Sequence, residues 1–407
     1  MNAMSVTPRV LAIHGGSPVR ARMLPYGRQL VDEADIQAVV DVLRSDWLTT
    51  GPKVAEFEEA FAARVSAKHA VSFSSGTAAL HAAAFTAGLK PGDEAITTPL
   101  TFAATANCVL YQGATPVFAD VSADTLNLEP EQIAKKISAQ TRAILPVDYA
   151  GHPADLMPIM KLARSRGLMV IEDACHALGA EYAGHRVGSI SDMTVFSFHP
   201  VKHITTGEGG MVVTNNPQFA ETLRRFRNHG ISSEARQRQS AGQWHYEMVL
   251  LGFNYRLPDF ACAMGIQQLK KLDANLARRQ DIAALYTAAF CEVPGVIRPT
   301  VRPEANPAWH LYPVRLELER LTADRAQIFR ALRAENIGVN VHYIPVHLHP
   351  YYRESFGYKG GEYPVAEAAY ERLISLPIFH GMSDQDVQDV VMAVRKVMFH
   401  FASLPNG

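Results

Sequence analysis

Between Lys68 and Asn215 the chain alternates short β-type runs with longer helix-type stretches, and no other feature restricts its fold as much. Residues 70–73 (Ala-Val-Ser-Phe) read as a strand, followed by a small-residue helix pattern from Thr77 to a stop at Gly88. Residues 94–98 repeat the theme, with an alanine-rich stretch running toward Gly113. Further strand patterns fall at 115–121 and 142–149, with helix patterns near 129–138 and 154–166. Residues 168–171 (Leu-Met-Val-Ile) are wholly apolar and end at Glu172 and Asp173. A strand without a polar face needs cover on both sides, which a parallel sheet between helical layers provides. Two more runs, 193–198 and 210–214, lie close together, so part of the sheet is expected to be antiparallel.

A second unit is expected after Asn254. Residues 259–286 contain no proline and one glycine, with apolar positions at helical spacing, and read as one long connecting helix. Strand patterns at 311–318 and 339–343, a helix near 322–335 and a last helix near 383–401 follow. The proline-rich stretch 294–307 reads as a surface connection. The expected division is residues 1–258, an N-terminal segment and a large α/β domain with a mixed, mostly parallel sheet, and residues 259–407, the connecting helix and a smaller α+β domain. A chain of 407 residues is long enough for two such cores.

A formal charge of −1 gives no general attraction to nucleic acid or to an anionic membrane, so neither is expected as a partner. The four cysteines stand far apart with no CxxC pair. That argues against a disulfide scaffold or a zinc site, and for small core residues in a reducing cytoplasm. No basic stretch followed by an apolar run opens the chain, and no apolar run approaches ~18 residues, so neither a signal peptide nor a membrane span is expected. The Met1-Asn-Ala-Met4 start leaves open which methionine is native.

Three segments carry chemistry. At 74–80 (Ser-Ser-Gly-Thr-Ala-Ala-Leu) a strand feeds a small-residue turn that opens a helix. The unpaired amides and dipole of a helix start suit a phosphate, although an ordinary Ser/Thr cap explains the same residues. At 171–179 (Ile-Glu-Asp-Ala-Cys-His-Ala-Leu-Gly), Asp173 falls at the carboxyl end of a strand, where ligands of open α/β sheets sit. A carboxylate there can hold a pyridinium nitrogen protonated, and His176 can lie against the same ring. A capping aspartate and a satisfied histidine are the plainer alternative. At 195–210, Lys202 stands between a strand bearing Ser197 and a turn with Gly207, Gly209 and Gly210. An ordinary lysine, with a pKa near ~10.4, is protonated and unreactive; desolvation or nearby positive charge makes it a nucleophile. A surface lysine is the plain reading of that segment alone. The three together, in the order phosphate turn, strand-end Asp, Lys before a Gly-rich turn, point to pyridoxal 5'-phosphate (PLP).

With these residues in place the sequence resembles the DegT family of sugar aminotransferases, which are fold type I PLP enzymes, from Tyr26 to the last helix. The landmarks are Leu-Thr-Thr-Gly at 48–51, Ser-Gly-Thr at 75–77, Thr-Phe-Ala-Ala-Thr at 101–105 and Glu-Asp-Ala-Cys-His at 172–176. Further on come Ser-Phe-His-Pro-Val-Lys at 197–202, Gly-Glu-Gly-Gly at 207–210, Arg-Asn-His-Gly at 227–230, Leu-Gly-Phe-Asn-Tyr-Arg at 251–256 and Val-His-Tyr-Ile-Pro at 341–345. The resemblance implies that Lys202 carries PLP as a Schiff base, with Asp173 on the pyridine nitrogen and His176 near the phenolic oxygen. Phe102 would stack on the ring, and Gly76, Thr77 and Ser197 would hold the phosphate. Asn254 would reach that phosphate from a second subunit, since active sites of the family lie at a dimer interface. Taken alone, Phe102 would read as a core aromatic and Asn254 as a turn residue.

Within the family the chain is most similar to the transaminases of pseudaminic acid biosynthesis. These use L-glutamate to aminate a UDP-linked 4-keto-6-deoxy-N-acetylhexosamine, giving UDP-4-amino-4,6-dideoxy-N-acetyl-β-L-altrosamine. The stretch 147–151 reads Val-Asp-Tyr-Ala-Gly where the wider family more often has Val-His-Leu-Tyr-Gly, so Asp148 and Tyr149 depart from the general type. By the same similarity Tyr26, Asp46, Trp47, Leu48, Thr49, Asn340, Val341, His342 and Tyr343 would line the nucleotide-sugar site with Gly76, Ser197 and Asn254. Leu48 and Val341 would contribute backbone only. One alternative is a 4-aminotransferase for another UDP- or GDP-linked 4-keto sugar. Some related dehydratases carry histidine at the lysine position, and Lys202 argues against that branch. A second, of another class, is a PLP-fold protein that only binds ligand as a regulator; the intact Lys202 and Asp173 weigh against it. His347 and His349 sit beside proline-rich turns without a supporting carboxylate set, so solvated or substrate-facing histidines are expected there and no metal.

Overall fold

The structure is a computed structural model that describes residues 10–232, 238 and 240–403; the Met1–Met4 start lies outside them. Two helices precede the first strand. In α1 (Glu33–Leu43), Asp32 caps the first turn and Asp35 bonds back to it, a reciprocal box that satisfies amides the helix cannot. Helix α2 (Pro52–Arg64) starts on a proline, whose missing N–H costs nothing at that position.

The alternating region forms a seven-stranded sheet. Its strands are β1 (His69–Phe73), β2 (Glu94–Thr97), β3 (Thr115–Phe118), β4 (Thr141–Leu145), β5 (Met169–Asp173), β8 (Met193–Ser197) and β9 (Gly210–Thr214), in the order β1-β9-β8-β5-β4-β2-β3. The five strands from β8 to β3 are parallel, and β9 runs antiparallel to both β8 and β1. The expected mixed, mostly parallel sheet is therefore present. Helices α3 (Gly76–Thr86), α4 (Ala104–Leu110), α5 (Pro130–Lys136) and α6 (Leu156–Arg166) form the crossovers, each shorter than its sequence pattern. One sheet face packs on the alanines of α3, and the other on Phe57, Phe61, Phe196 and Phe198. A small sheet joins β6 (Glu181–Tyr182) and β7 (His185–Arg186) to β11 (Ala305–Asn306), so the proline-rich stretch is not wholly irregular.

After α7 (Pro217–Phe226), the expected single connecting helix is two: α8 (Asp259–Lys270) and α9 (Leu272–Ala289), separated at Lys271. The break lets α8 pack on α1 and α2 while α9 turns to a separate core. Lys271 uses the corner to pair with Asp32 and Asp35. The second core holds Tyr286, Phe290, Tyr312, Ile328, Ile374 and Val390. Its sheet is β10 (Val296–Ile297), β12 (Tyr312–Leu316) and β13 (Leu373–Leu376), all antiparallel. Helices α10 (Arg325–Ala334), α11 (Pro350–Phe356), α12 (Pro364–Arg372) and α13 (Asp384–Phe401) complete the described elements of this unit. The strand expected at 339–343 is absent; an isolated bridge from Asn340 to Ser375 stands in its place. Strand β13, fully buried and without alternation, was hidden in a segment that also suits a helix end. No helix among the described residues is long and apolar enough to cross a membrane.

Candidate active site

The carboxyl ends of β5 and β8 converge on the start of α3. Asp173 closes β5 opposite Val195, and Ser197 closes β8 opposite Gly210. Ser75 caps α3 through the Ala78 amide at 3.1 Å, which leaves the Gly76 and Thr77 amides ahead of the first helical bond. A Cβ on Gly76 would lie 3.0 Å from Ser197 Cβ, and one on Gly210 would meet the Ser75 carbonyl. Close approach, of the Ser197 side chain at Gly76 and of the Ser75 backbone at Gly210, rather than a left-handed turn, is what favours glycine at these two positions.

Asp173 is buried, and its carboxylate is held by two donors. Thr105 Oγ1 donates to Oδ2 at 2.6 Å, and the Cys175 amide to Oδ1 at 3.2 Å. Thr105 was part of a recognised stretch, but only the fold brings α4 over β5 and gives it this role. Lys202 retains partial solvent access and, among the described residues, ion-pairs with no carboxylate. Burial draws its amine below the ordinary lysine value, against the opposing pull of Cys175 and Asp173.

Histidines line the other wall. His176 Nε2 lies 3.0 Å from the Tyr343 hydroxyl, and its ring stands 4.3 Å from that of His310. Burial first, then the charge of Lys202, pushes His176 and His310 well below the usual histidine value. The same causes bring His342 down to about 4. All three are neutral near pH 7. The Tyr26 ring stands 5.2 Å from that of His342, tilted to it by 52°, and Phe102, 61% exposed, stands 6.0 Å from Tyr343 at the rim. Asn340 bonds its own neighbour's amide, Val341, at 2.8 Å. Thus Tyr26, Phe102, His176, His342 and Tyr343 form one wall, as a functional grouping of these residues requires.

The remaining candidates lie elsewhere. Asp46, Leu48 and Thr49 are exposed and Trp47 half-buried. Thr49 borders an open groove of about 700 Å³ whose lining includes Arg227, Asn228, His229 and Arg256. Asn254 is exposed and bridges Asn228 on that side. Beside it runs an apolar stretch, with Trp244 84% and Leu251 74% exposed and Met248 nearly as open. A single copy of the chain does not bring these residues to the Lys202 wall.

Two expectations are overturned. His347 is fully buried, not solvated: its Nε2 lies 3.0 Å from Glu367, among Phe118, Tyr358 and Tyr363. The carboxylates thought missing exist, since Glu362 and Glu367 stand within ligand range of it. Both, however, accept backbone amides from residues 359–363, which makes the group a clasp for that turn. Cys291 is exposed, not a core residue, while Cys108 and Cys262 are buried as expected.

The pocket's own atoms fit PLP. The unpaired Lys202 amine can take its aldehyde, and the buried carboxyl group of Asp173 can take its ring nitrogen. The free amides of Gly76 and Thr77 with the Ser197 hydroxyl can take its phosphate. The buried Nδ1 of His176 has no protein partner. When bound, PLP supplies an electron sink that an amino-acid side chain cannot.

The profile of the DegT/DnrJ/EryC1/StrS aminotransferase family matches residues 29–395. The chain is 44% identical over 381 residues to the spore coat polysaccharide biosynthesis protein SpsC of Bacillus subtilis, covering 93% of this chain and 98% of that one. It is similar in structure to Helicobacter pylori PseC, an aminotransferase involved in the biosynthesis of pseudoaminic acid, with a TM-score of 0.86 and 33% identity over 93% of this chain and 100% of PseC. It is likewise similar to the PLP-form of Spr1654 from Streptococcus pneumoniae, with a TM-score of 0.87 and 30% identity over 94% and 100% of the two chains. The chain belongs to the DegT/DnrJ/EryC1/StrS family of PLP-dependent sugar aminotransferases.

Proposed function

We propose that the chain transfers an amino group from L-glutamate to the 4-keto group of a UDP-linked 4-keto-6-deoxy-N-acetylhexosamine, giving UDP-4-amino-4,6-dideoxy-N-acetyl-β-L-altrosamine. The carrying observation is a desolvated, unpaired Lys202 amine at the strand ends, with Asp173 and a wall of neutral histidines around it. In this reading Lys202 is the covalent anchor and, once displaced by the donor, the base that moves a proton between donor carbon and cofactor. Asp173, steadied by Thr105, holds the ring nitrogen protonated. His176, neutral and bonded to Tyr343, orients the ring without adding charge. Phe102 covers the ring face at the rim.

The sugar is assigned from the likeness to PseC and from the stretch at 147–151. Tyr26, His342 and Tyr343 would meet it from one copy. The Asn254 side, with Asp46–Thr49, would meet it from the second copy of a homodimer. The exposed apolar stretch beside Asn254 supports that assembly, because a contiguous apolar patch favours a partner over water. We place the domain division at residues 1–258 and 259–407.

Purified protein supplied with PLP, L-glutamate and the UDP-4-keto sugar should yield the 4-amino sugar, with stereochemistry read by nuclear magnetic resonance and 2-oxoglutarate formed in equal amount. No product from this sugar, but turnover of a D-configured or GDP-linked 4-keto sugar, would replace it with the second reading.

A further inference from the structure

Beside Asp173, one after β4 and one in β5, lie two carboxyl groups that no cation neutralises among the described residues. Asp148 follows β4, Glu172 precedes Asp173 in β5, and both are 0% exposed. Asp148 Oδ1 accepts the Ala154 amide at 2.8 Å. Glu172 Oε2 accepts the hydroxyls of Ser191 at 2.9 Å and Thr194 at 2.8 Å. Their second oxygens, Asp148 Oδ2 and Glu172 Oε1, are buried without a hydrogen-bond partner, and the parallel bridge between Val147 and Asp173 puts the two side chains on the same face of the sheet. Two ionised carboxylates have only acceptors, so a bond between them requires a proton.

Asp148 is also a junction. Its amide donates to the Asp173 carbonyl at 3.1 Å, and the Asp173 amide donates to Pro146 at 2.8 Å. The next residue, Tyr149, sends its hydroxyl 2.5 Å to the His342 carbonyl and its amide 2.9 Å to Asn127. Asp148 is thus bonded into both the strand end bearing Asp173 and the turn that holds the His342–Tyr343 segment.

We propose that Asp148 and Glu172 share one proton, and that this acid–carboxylate pair is the positioning device that fixes Asp173 and the His342–Tyr343 wall. Burial, joined by repulsion from Glu172 and Asp173, pushes Asp148 well above the ordinary carboxyl value, and burial with Asp173 raises Glu172 against the pull of its hydroxyl donors. The other titratable groups facing the pair are Asp173 and the Cys175 thiol, which the same burial and charges raise. The second half of the proposal rests on the cofactor-holding role given to Asp173; the first half does not.

The sign follows from the raised values. A carboxyl that holds its proton in the folded chain contributes stability at low pH, and loses it as pH rises through the folded value. Asp148→Asn offers Glu172 an N–H donor with no proton to lose. Thermal unfolding of the full chain with PLP should therefore give a Tm advantage for D148N that widens by about 3 °C or more between pH 5 and pH 9. Curves that stay parallel across that range would overturn the shared proton. D148L leaves Glu172 Oε1 without a donor and should weaken PLP binding by roughly tenfold, with D148N restoring it. PLP affinity in D148L equal to wild type would overturn the positioning role. Wild-type protein that takes up no PLP would sink the proposed function instead, while unfolding of the chain alone still decides the shared proton.

Discussion

Lys202, Asp173 and His176 stand where the chain itself supplies their neighbours, whereas Trp244, Leu251 and Asn254 face outward with little of the chain against them. The first region is dry: an aspartate held by two donors, histidines kept neutral by burial, an amine drawn below its ordinary value. The second is wet on a single copy, and it carries residues that the proposed chemistry needs beside the first. A chemical pocket profits from a fixed, low-dielectric wall, because each charge then acts at full strength. A surface that must admit first a small diacid and then a nucleotide sugar cannot be walled in the same way. The contrast teaches which half of the site one chain can complete and which half calls for a second.

The largest effect should follow from breaking the dry half. Lys202→Ala is expected to reduce turnover by more than the ~10²–10⁴-fold usual for a proton-transfer group, since it removes the covalent anchor as well. Borohydride treatment with PLP should label wild type and leave K202A unlabelled, as read by intact mass. Labelling of K202A at another lysine would move the site away from β8.

Breaking the outward half should cost less. Loss of one hydrogen bond to a charged phosphate is worth about 1.5–3 kcal/mol, so Asn254→Ala should lower PLP affinity by roughly 10–100-fold. If Asn254 serves the partner's pocket, mixing K202A with N254A subunits at limiting PLP should give more activity than either parent, because one pocket of the mixed dimer has both residues. A mixture no better than its parents would return Asn254 to its own subunit. Leu251→Glu, placing a charge on the apolar stretch, should shift sedimentation from dimer toward monomer.

Within the dry half, Thr105→Val tests how far the pocket depends on its internal bonds. The change keeps the shape of the side chain and deletes the donor to Asp173 Oδ2. It should lower kcat by about tenfold, the value of one bond to a charged acceptor, with little change in the KM for glutamate. A rise in KM alone would mean that Thr105 shapes the pocket rather than steadies the carboxylate.

The same division governs what the sequence discloses. The parallel strands could be read because their apolar runs and glycine stops are local signals, and Lys202, Asp173 and Ser197 followed because they sit at the ends of those runs. Thr105 over Asp173 and the juxtaposition of Asp148 with Glu172 could not be read, since each joins residues that only the sheet order makes neighbours. The break at Lys271 escaped periodicity because the residues on both sides keep helical spacing; the pull of Asp32 and Asp35 acts from 236 or more positions away. His347 looked solvated for a similar reason, its partner Glu367 lying 20 positions on, in α12 beyond the intervening α11. Thr49 and Asn254 were grouped with the pocket through family likeness, and one chain by itself leaves them apart.

The smallest expected effect concerns acid stability, and it falls on the dry half alone. His380, packed near Arg279, is brought down to about 4 chiefly by burial, with Arg279 and Lys271 adding to the effect. Its Nδ1 is buried without a partner. A histidine with a lowered folded value is neutral when the unfolded chain has already taken a proton, so its stabilising share is whole above about pH 6.5. The share falls as pH drops from there toward 4. Each pH unit is worth about 1.4 kcal/mol for a fully buried group, and the partial exposure of His380 reduces the total to about 1–2 kcal/mol. His380→Gln should therefore narrow its stability deficit, or reverse it, between pH 7 and pH 4, a swing of a few degrees in Tm. His176, His203 and His310 remain in that variant with values well below the ordinary one, so acid should still unfold it. A constant offset between H380Q and wild type over this range would mean that His380 titrates as it does in water, and that the dry region ends before reaching it.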